Sequence, residues 1–425
     1  MAAQHPMMPF AEARQRLLAA LTPCTEGESV PLPDALGRVL QAPVEAPVSL
    51  PPAANSAMDG YALAAGDAPA GAEYDIRGEA LAGAPWNGAL RPGEALRIMT
   101  GAVVPPGADR VIMQEQTEQS ADQRLRLNTE CPPGNNIRPA GDDVTAGTEV
   151  LPAGRRLQVT DLALLGALGL SKVTVVRRLR VALLATGDEL RQAGETLAPG
   201  DIYESNRLAI SLLLRPLPVE ITDLGIVRDD PTALRQCMAG AMRTHDLVVS
   251  TGGVSVGAAD YTRDILQELG DIDFWKVAIK PGKPVAFGRL GKGWFFGLPG
   301  NPVSALVTAH QLLVPALGKL SGAAVTAPLT LTVPAAEPLR KKPGRLDFQR
   351  AVLSQTVSAD GRCEHSVRPA SGQGSHMLWS LAQANAYAVL PAESGDIQPG
   401  DPVTVVPFDP ALGWFTPTSP ATAAE

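Results

Sequence analysis

Between about residues 179 and 322 the sequence switches repeatedly between short buried-strand runs and amphipathic helical runs, and this alternation restricts the fold more than any other feature. R-V-A-L-L-A-T reads as a strand, Leu208 to Leu214 as a helix and V-E-I-T-D-L as a strand; D-D-P-T-A-L-R-Q-C-M-A-G-A-M-R reads as a helix with Asp230 as N-cap and Pro231 at its first position. D-L-V-V-S-T gives a further strand and D-Y-T-R-D-I-L-Q-E-L-G a helix closed by glycine. W-F-F-G-L-P is the last strand, ahead of the helix that carries Val303, Leu306, Val307, His310 and Val314. Strands this apolar must be covered on both faces, which predicts a mostly parallel sheet flanked by helices. Such sheets take ligands beyond the carboxyl ends of their strands.

The flanking regions are patterned differently. Phe10, Ala13, Leu17, Ala20 and Leu21 recur at helical spacing between Pro9 and Pro23, which predicts a short amphipathic helix. From about 25 to 178, β-like runs cut by Gly and Pro precede an apolar helical stretch near 160–170, predicting a β-rich region of two lobes. Period-two alternation returns from about 327 to 410 in L-T-L-T-V and D-P-V-T-V-V-P-F, as in a small all-β domain. With 425 residues, 45% of them hydrophobic, the chain exceeds one ordinary core and should form two to four domains.

Composition excludes several function classes. Lys and Arg total 36 against 44 Asp and Glu, a formal charge of -8, which argues against a protein that holds duplex nucleic acid by neutralising phosphates. Cys24, Cys131, Cys237 and Cys363 are widely separated and form no C-x-x-C pair, so neither a zinc site nor a disulfide framework is expected. Residues 1–9 carry no Lys or Arg and no signal-type apolar core, and Leu162–Leu170 is too short to span a bilayer. These features fit a protein of the reducing cytoplasm with no membrane segment.

Three Gly-rich loops follow predicted strands: T-G-D-E-L, S-T-G-G-V-S-V-G-A-A-D-Y-T and G-L-P-G-N-P-V-S-A. Glycine lets backbone N–H groups approach an anion, and the helices that follow add a positive dipole end; tight strand-to-helix turns would use the same residues. Neither G-x-x-x-x-G-K-[ST] nor G-x-G-x-x-G occurs in this region, so a different type of phosphate or oxyanion cradle is expected. Asp188, Glu189, Asp229, Asp230 and Asp260 fall at predicted strand ends or helix starts, and Lys276, Lys280 and Lys283 lie in F-W-K-V-A-I-K-P-G-K-P. Carboxylates at such a mouth suit Mg²⁺, and lysines suit a pyrophosphate or oxyanion. Helix capping explains Asp230 and competes for Asp260, while a solvated surface competes for the lysines. Far upstream, Asp59 in N-S-A-M-D-G-Y-A, Thr100 in R-I-M-T-G-A and Asp143 in G-D-D each read equally as loop chemistry. Ser375 and His376 in Q-G-S-H-M, with Arg345 and Arg350, could form a lip over a neighbouring site or simply a hairpin turn. The five histidines show no metal or catalytic spacing.

N-S-A-M-D-G-Y-A, R-I-M-T-G-A, V-I-M-Q-E-Q-T, S-T-G-G-V-S-V-G-A-A-D-Y-T, W-K-V-A-I-K-P-G-K-P and G-L-P-G-N-P-V-S-A together closely resemble the MoeA-type molybdopterin molybdenumtransferases, whose relatives include the E domain of gephyrin. The resemblance runs from about residue 8 to 410. It implies a multidomain α/β plus β chain: an N-terminal domain of residues 1–45 and 145–178, an inserted β-rich lobe at 46–144, a three-layer molybdopterin-binding α/β domain at 179–326 and a C-terminal β-barrel-like domain at 327–412; the composition of the last stretch, 413–425, separately predicts a disordered tail. It also implies a homodimer with its site between subunits, so that Asp59, Thr100 and Asp143 of one chain could face the sheet edge of the other. By motif match it carries functional roles to Glu189, Asp229, Asp260, Lys276 and Lys280, with substrate contacts at Thr251, Gly252, Gly253, Ser255, Lys283, Pro299, Pro302 and Ser304.

The implied reaction replaces AMP by molybdenum: adenylylated molybdopterin and molybdate give molybdenum-loaded molybdopterin and AMP, with Mg²⁺ on Glu189, Asp229 and Asp260. Transient contact with the adenylylating enzyme and other cofactor-biosynthesis proteins follows from the same pathway. One departure is the N-I-R-P-A-G-D-D loop, where Arg138 precedes Pro139 and Ala140 in place of further arginines, which puts the contacts of that loop in doubt. Two rivals remain. A pterin adenylyltransferase uses a related α/β domain but needs no N-S-A-M-D-G lobe or C-terminal β domain, and a non-catalytic binding scaffold would not need the acidic and lysine residues.

Overall fold

In the computed structural model the described residues are 7–408, apart from 65, 121, 123, 254–260 and 358–360; Ser255, Asp260 and the tail at 413–425 therefore lie outside them. The chain divides into two compact units, one of Ser29–Leu36 and Leu40–Val175, the other of Gly37–Val39 with the described residues up to Glu28 and from Val176 onward. Helix α1 (Phe10–Ala20) opens the latter unit and buries Ala13 and Leu17, as its spacing predicts.

In the former unit, six strands form a sheet of order β4-β1-β3-β2-β6-β5: β1 (Gly60–Ala64), β2 (Glu73–Ala80), β3 (Glu94–Ile98), β4 (Ala108–Met113), β5 (Thr117–Gln119) and β6 (Arg124–Leu127). Strand β1 is buried along its whole length. Its alternate side chains feed two cores, Tyr61 and Leu63 joining Tyr74, Ile112 and Leu125, and Ala62 and Ala64 joining Leu96, Ile98 and Val111. A separate core gathers Val30, Leu40, Leu151 and Val173 against Leu165 of α2 (Val159–Ala167). The β-rich region thus carries distinct cores, with the apolar helix in one separate from the two of the six-stranded sheet.

In the other unit the sheet order is β8-β7-β9-β13-β12-β10, from β7 (Leu179–Thr186), β8 (Val219–Val227), β9 (Leu247–Thr251), β10 (Gly270–Lys276), β12 (Pro284–Leu290) and β13 (Gly293–Leu298). The intervening helices are α3 (Asn206–Leu214), α4 (Pro231–Ala241) and α5 (Tyr261–Leu269). Val181 and Leu183 of β7 pack with Ile210 of α3, Leu17 of α1 and Val303 of the following helix, whereas Ala182 and Leu184 pack with Leu234 and Met238 of α4 and Leu266 of α5. Strands β8, β7, β9 and β13 are parallel neighbours; β12 and β10 extend the sheet antiparallel. That hairpin is absent from the alternation expected of the sequence, which offers F-W-K-V-A-I-K-P-G-K-P only as a lysine-bearing stretch. Pro281 and Gly282 punctuate the stretch as a loop would, but Phe274 to Lys276 pair with Ala286 to Pro284, a partnership no local pattern encodes.

Helix α6 (Pro302–Leu320) is long and apolar enough to cross a membrane by length and composition, yet Val303, Val307, Leu312 and Leu317 are core residues packed on the sheet. Its turn Ala309–Leu313 is π-type and leads into Pro315, which has no N–H to donate to the preceding turn. Beyond it lie β14 (Leu331–Pro334), β15 (Leu346–Val357), β16 (Cys363–Pro369), α7 (Leu378–Ala382), β17 (Ala386–Leu390) and β18 (Pro402–Pro407). The sheet runs β11-β15-β17-β18-β14, with β16 also on β15; β11 is the two-residue strand Ile279–Lys280. Ala335 next to β14 bridges Val367 of β16.

His310 on α6 sits 3.1 Å from the Tyr387 hydroxyl, and burial pushes its imidazole from 6.5 down to about 4. Because the neutral ring is the folded form, stability is fully present above pH 6.5 and is lost as pH falls toward 4; the depression corresponds to about 3 kcal/mol. Chemical denaturation from pH 7 to 4.5 should show wild type losing about 2 kcal/mol more stability than His310→Gln. Parallel pH profiles for the two proteins would contradict it.

Candidate active site

The four parallel strands deliver their carboxyl ends to one edge, and the loops there are close enough to touch. Gly252, just past β9, has φ +87° and donates its N–H to Leu298 O at 3.1 Å. A Cβ at Gly252 would lie 2.6 Å from Thr186 O, and one at Gly300 would lie 3.8 Å from Gly252 Cα, so the glycines let three strand ends converge. Thr251 and Thr186 are buried there, and among the described residues neither hydroxyl oxygen has a hydrogen-bond partner. Buried hydroxyls are ordinarily satisfied, which makes these two candidates for a ligand's polar groups. Thr251 was expected from sequence; Thr186 was not, although its place at the strand end before Gly187-Asp188 was the available signal. Gly253 follows at φ +67°.

Acidic groups line the same edge. Asp188 and Glu189 follow β7, Asp229 follows its neighbour β8, and the Asp229 N–H donates to Asp188 Oδ1 at 3.2 Å. Partial removal from water, then the Asp188 and Glu189 carboxylates, raise the Asp229 carboxyl above its usual range even though its side chain still reaches solvent. Repulsion of this kind fits a site for a hard cation, although among the described residues no group of three His, Cys, Asp or Glu is poised to hold a metal. Asp230 is a helix cap, accepting from Ala233 N at 2.7 Å.

The third loop carries Pro299, buried, and Pro302 at the first turn of α6, with Ser304 buried behind it. Asn206 Nδ2 donates to Gly300 O at 2.7 Å and Asn301 Nδ2 to Ser375 Oγ at 3.1 Å. Val303 N–H donates to Ser375 O at 3.1 Å, so Q-G-S-H-M does border this loop. Arg350 forms no lip: it is 1% exposed and donates to Gly372 O, Gly374 O and Ser380 Oγ, holding the turn from inside. The lysines lie on strands and their junction. Lys276 ends β10, Lys283 is exposed with its carbonyl accepting from Val277 N–H at 2.8 Å, and Lys280 in β11 donates to Asp347 Oδ2 at 3.3 Å.

Asp59, Thr100 and Asp143 all belong to the other unit. Thr100 donates through both N–H (2.7 Å) and Oγ1 (2.8 Å) to Asp59 Oδ1, and these bonds, the backbone one first, hold the Asp59 carboxyl below its usual range. Gly101, at φ +82°, closes the turn from Met99 to Ala102, and its N–H donates to Ser56 O at 2.8 Å. The strands Asn55–Ser56 and Ile137–Arg138 pair, and Asp143 N–H donates to Leu50 O at 2.9 Å, so three sequence-distant segments are laced together. Asp59 and Thr100 are in contact; Asp143 is exposed on the adjoining loop.

Residues 8–169 match the MoeA N-terminal region (domain I and II), 182–319 a probable molybdopterin binding domain and 332–408 the MoeA C-terminal region (domain IV). A molybdopterin molybdenumtransferase of Haemophilus influenzae is 40% identical over 408 residues, covering 96% of this chain and all (100%) of that one. The chain belongs to the MoeA family. A second molybdopterin molybdenumtransferase, from Nostoc, is 36% identical over 95% of both chains. Gephyrin of Dictyostelium discoideum is 28% identical across 91% of this chain and 60% of its own length. Among solved structures, the molybdopterin biosynthesis MoeA protein of Pyrococcus horikoshii OT3 superposes with a TM-score of 0.81 at 29% identity, over 95% of this chain and 100% of that one. In family terms, the Gly252 and Gly300 loops and the acidic edge fall within the match to the molybdopterin-binding model, and Asp59 and Thr100 within the N-terminal one.

Proposed function

We propose that this chain is a molybdopterin molybdenumtransferase, converting adenylylated molybdopterin and molybdate into molybdenum-loaded molybdopterin and AMP. The observation that carries the reading is the 40% identity to a molybdopterin molybdenumtransferase along that protein's whole length. A pterin adenylyltransferase is not favoured, because the match extends through the N- and C-terminal regions as well as the pterin-binding one.

In this reading Thr186, Thr251, Gly252 and Gly253 receive the pterin's polar groups, Pro299, Pro302 and Ser304 are further substrate contacts, and Ser255 is assigned to substrate binding on its motif alone. Lys276, Lys280 and Lys283 offset the negative charge of pyrophosphate and molybdate, and such fixed charges count most where they face charge that develops during reaction. Glu189, Asp229 and Asp260 are the residues that would hold Mg²⁺, which when bound supplies Lewis-acid stabilisation of the departing phosphate. Asp59, pre-ordered by Thr100, and Asp143 contribute from a second subunit. The same reading takes the α/β domain as three-layered, the C-terminal sheet as barrel-like, the protein as cytoplasmic and its contact with the adenylylating enzyme as transient. Exposed Leu208 (64%) and Leu212 (50%) on α3 support a homodimer.

Activity is tested by whether the pterin product activates an apo-molybdoenzyme. Subunit sharing has its own test. Asp59→Ala and Lys280→Met are each expected to be nearly inactive, whereas exchanging equal amounts of both should restore roughly a quarter of wild-type activity through mixed dimers with one intact site. No recovery after verified exchange would place both residues in one chain's site.

A further inference from the structure

Lys280 lies on a strand that belongs to the C-terminal sheet, not to the α/β sheet. Its two-residue strand β11 runs parallel to β15, with Ile279 opposite Leu346 and Lys280 opposite Asp347, and Leu346 N–H donates to Ala278 O at 2.9 Å. The side chain is held by the same strand: Lys280 Nζ donates to Asp347 Oδ2 at 3.3 Å. Asp347 is only 1% exposed, and its Oδ1 faces Lys341 Nζ at 3.5 Å. Lys341 is spent on this role, since its buried ammonium also donates to Lys342 O (3.0 Å) and Arg345 O (2.6 Å).

A buried carboxylate needs cationic partners, and Lys341 with its carbonyl ligands meets that need from the inside. Lys280 meets it from the outside while keeping 38% of its side chain exposed. One carboxylate is thus shared by two ammonium groups, leaving the cluster with a net positive charge directed outward through Lys280. A lysine on a four-carbon stem is otherwise a mobile point charge.

We infer that Asp347 is a positioning residue for the reaction: through the Lys280–Asp347 contact the C-terminal sheet fixes the lysine that meets the anionic substrate. The inference rests on the proposed role of Lys280. Asp347 would touch no substrate, so its removal should matter only while Lys280 is present.

Because Asp347→Asn leaves Lys341 buried without its carboxylate, the comparison is made in both the wild-type and the Lys341→Met backgrounds, using full-length protein. Asp347→Asn should lower kcat/KM for molybdate about tenfold in each background. The loss should divide between kcat and KM as that of Lys280→Met does, and should shrink to less than twofold once Lys280→Met is present. Lys341→Met alone should lower the melting temperature yet leave kcat/KM of the folded protein within about twofold. Full tenfold losses that multiply with Lys280→Met, or none from Asp347→Asn, would overturn the inference while leaving the role of Lys280 intact. An active Lys280→Met enzyme would instead remove that role, and the inference with it.

Discussion

Replacing Gly252 with alanine should lower turnover by about two orders of magnitude, the scale expected when reacting groups move by roughly 1 Å. The residue holds φ +87°, and its new Cβ would lie 2.6 Å from the backbone oxygen of Thr186, an atom that cannot swing aside. Relief requires the loop after β9 to back away from the end of β7, separating Thr251 from Thr186 and breaking the Gly252 bond to Leu298 O. Gly200→Ala is the control, because Gly200 has φ +97° but no atom of the described residues within 4 Å of its would-be Cβ. It carries the conformational strain alone and should retain near-wild-type turnover. Equal activity for the two variants would show that the convergence of loops at Gly252 does not govern the reaction.

The second large effect is expected at Gly60, where the penalty is one of folding. A Cβ there would overlap the carbonyl oxygen of Ile112 and lie 2.8 Å from its carbon, at the end of the β1–β4 pairing where Gly60 opposes Met113. Strand β1 is buried on both faces, so the overlap can be relieved only by prising apart two strands that anchor both lobe cores. Gly60→Ala should therefore cost about 3 kcal/mol or more, at the upper end of overpacking losses. Limited proteolysis should cut first within 60–113, and turnover should fall as well because Asp59 precedes the displaced strand. Wild-type protease resistance and an unchanged melting temperature would contradict this account of the M-D-G motif.

The alternating region was legible from sequence because each segment announces itself locally. Period and length separate β7, β8 and β9 from the helices between them, and Asp230 before Pro231 is a cap by its chemistry alone. What the sequence withheld were pairings between distant segments. The β10–β12 hairpin and the β11–β15 pairing give no periodic signal in seven residues or in two. The Asp59–Thr100 bond spans 41 positions, so each residue looked like ordinary turn chemistry until the fold brought them together. Arg350 misled for a related reason: a charged residue reads as surface unless its partners, here two carbonyls and a serine from the 372–380 segment, can be seen. Thr186 and Asp347 were overlooked because a missing hydrogen bond and a buried ion pair are properties of the packed chain.

The most direct test of the central claim follows AMP release from adenylylated molybdopterin by the purified protein in Mg²⁺, with and without molybdate. Release that depends on molybdate, with a product that activates an apo-molybdoenzyme, is the predicted result. Consumption of ATP and free molybdopterin to make the adenylylate, or tight pterin binding with no turnover, would contradict it.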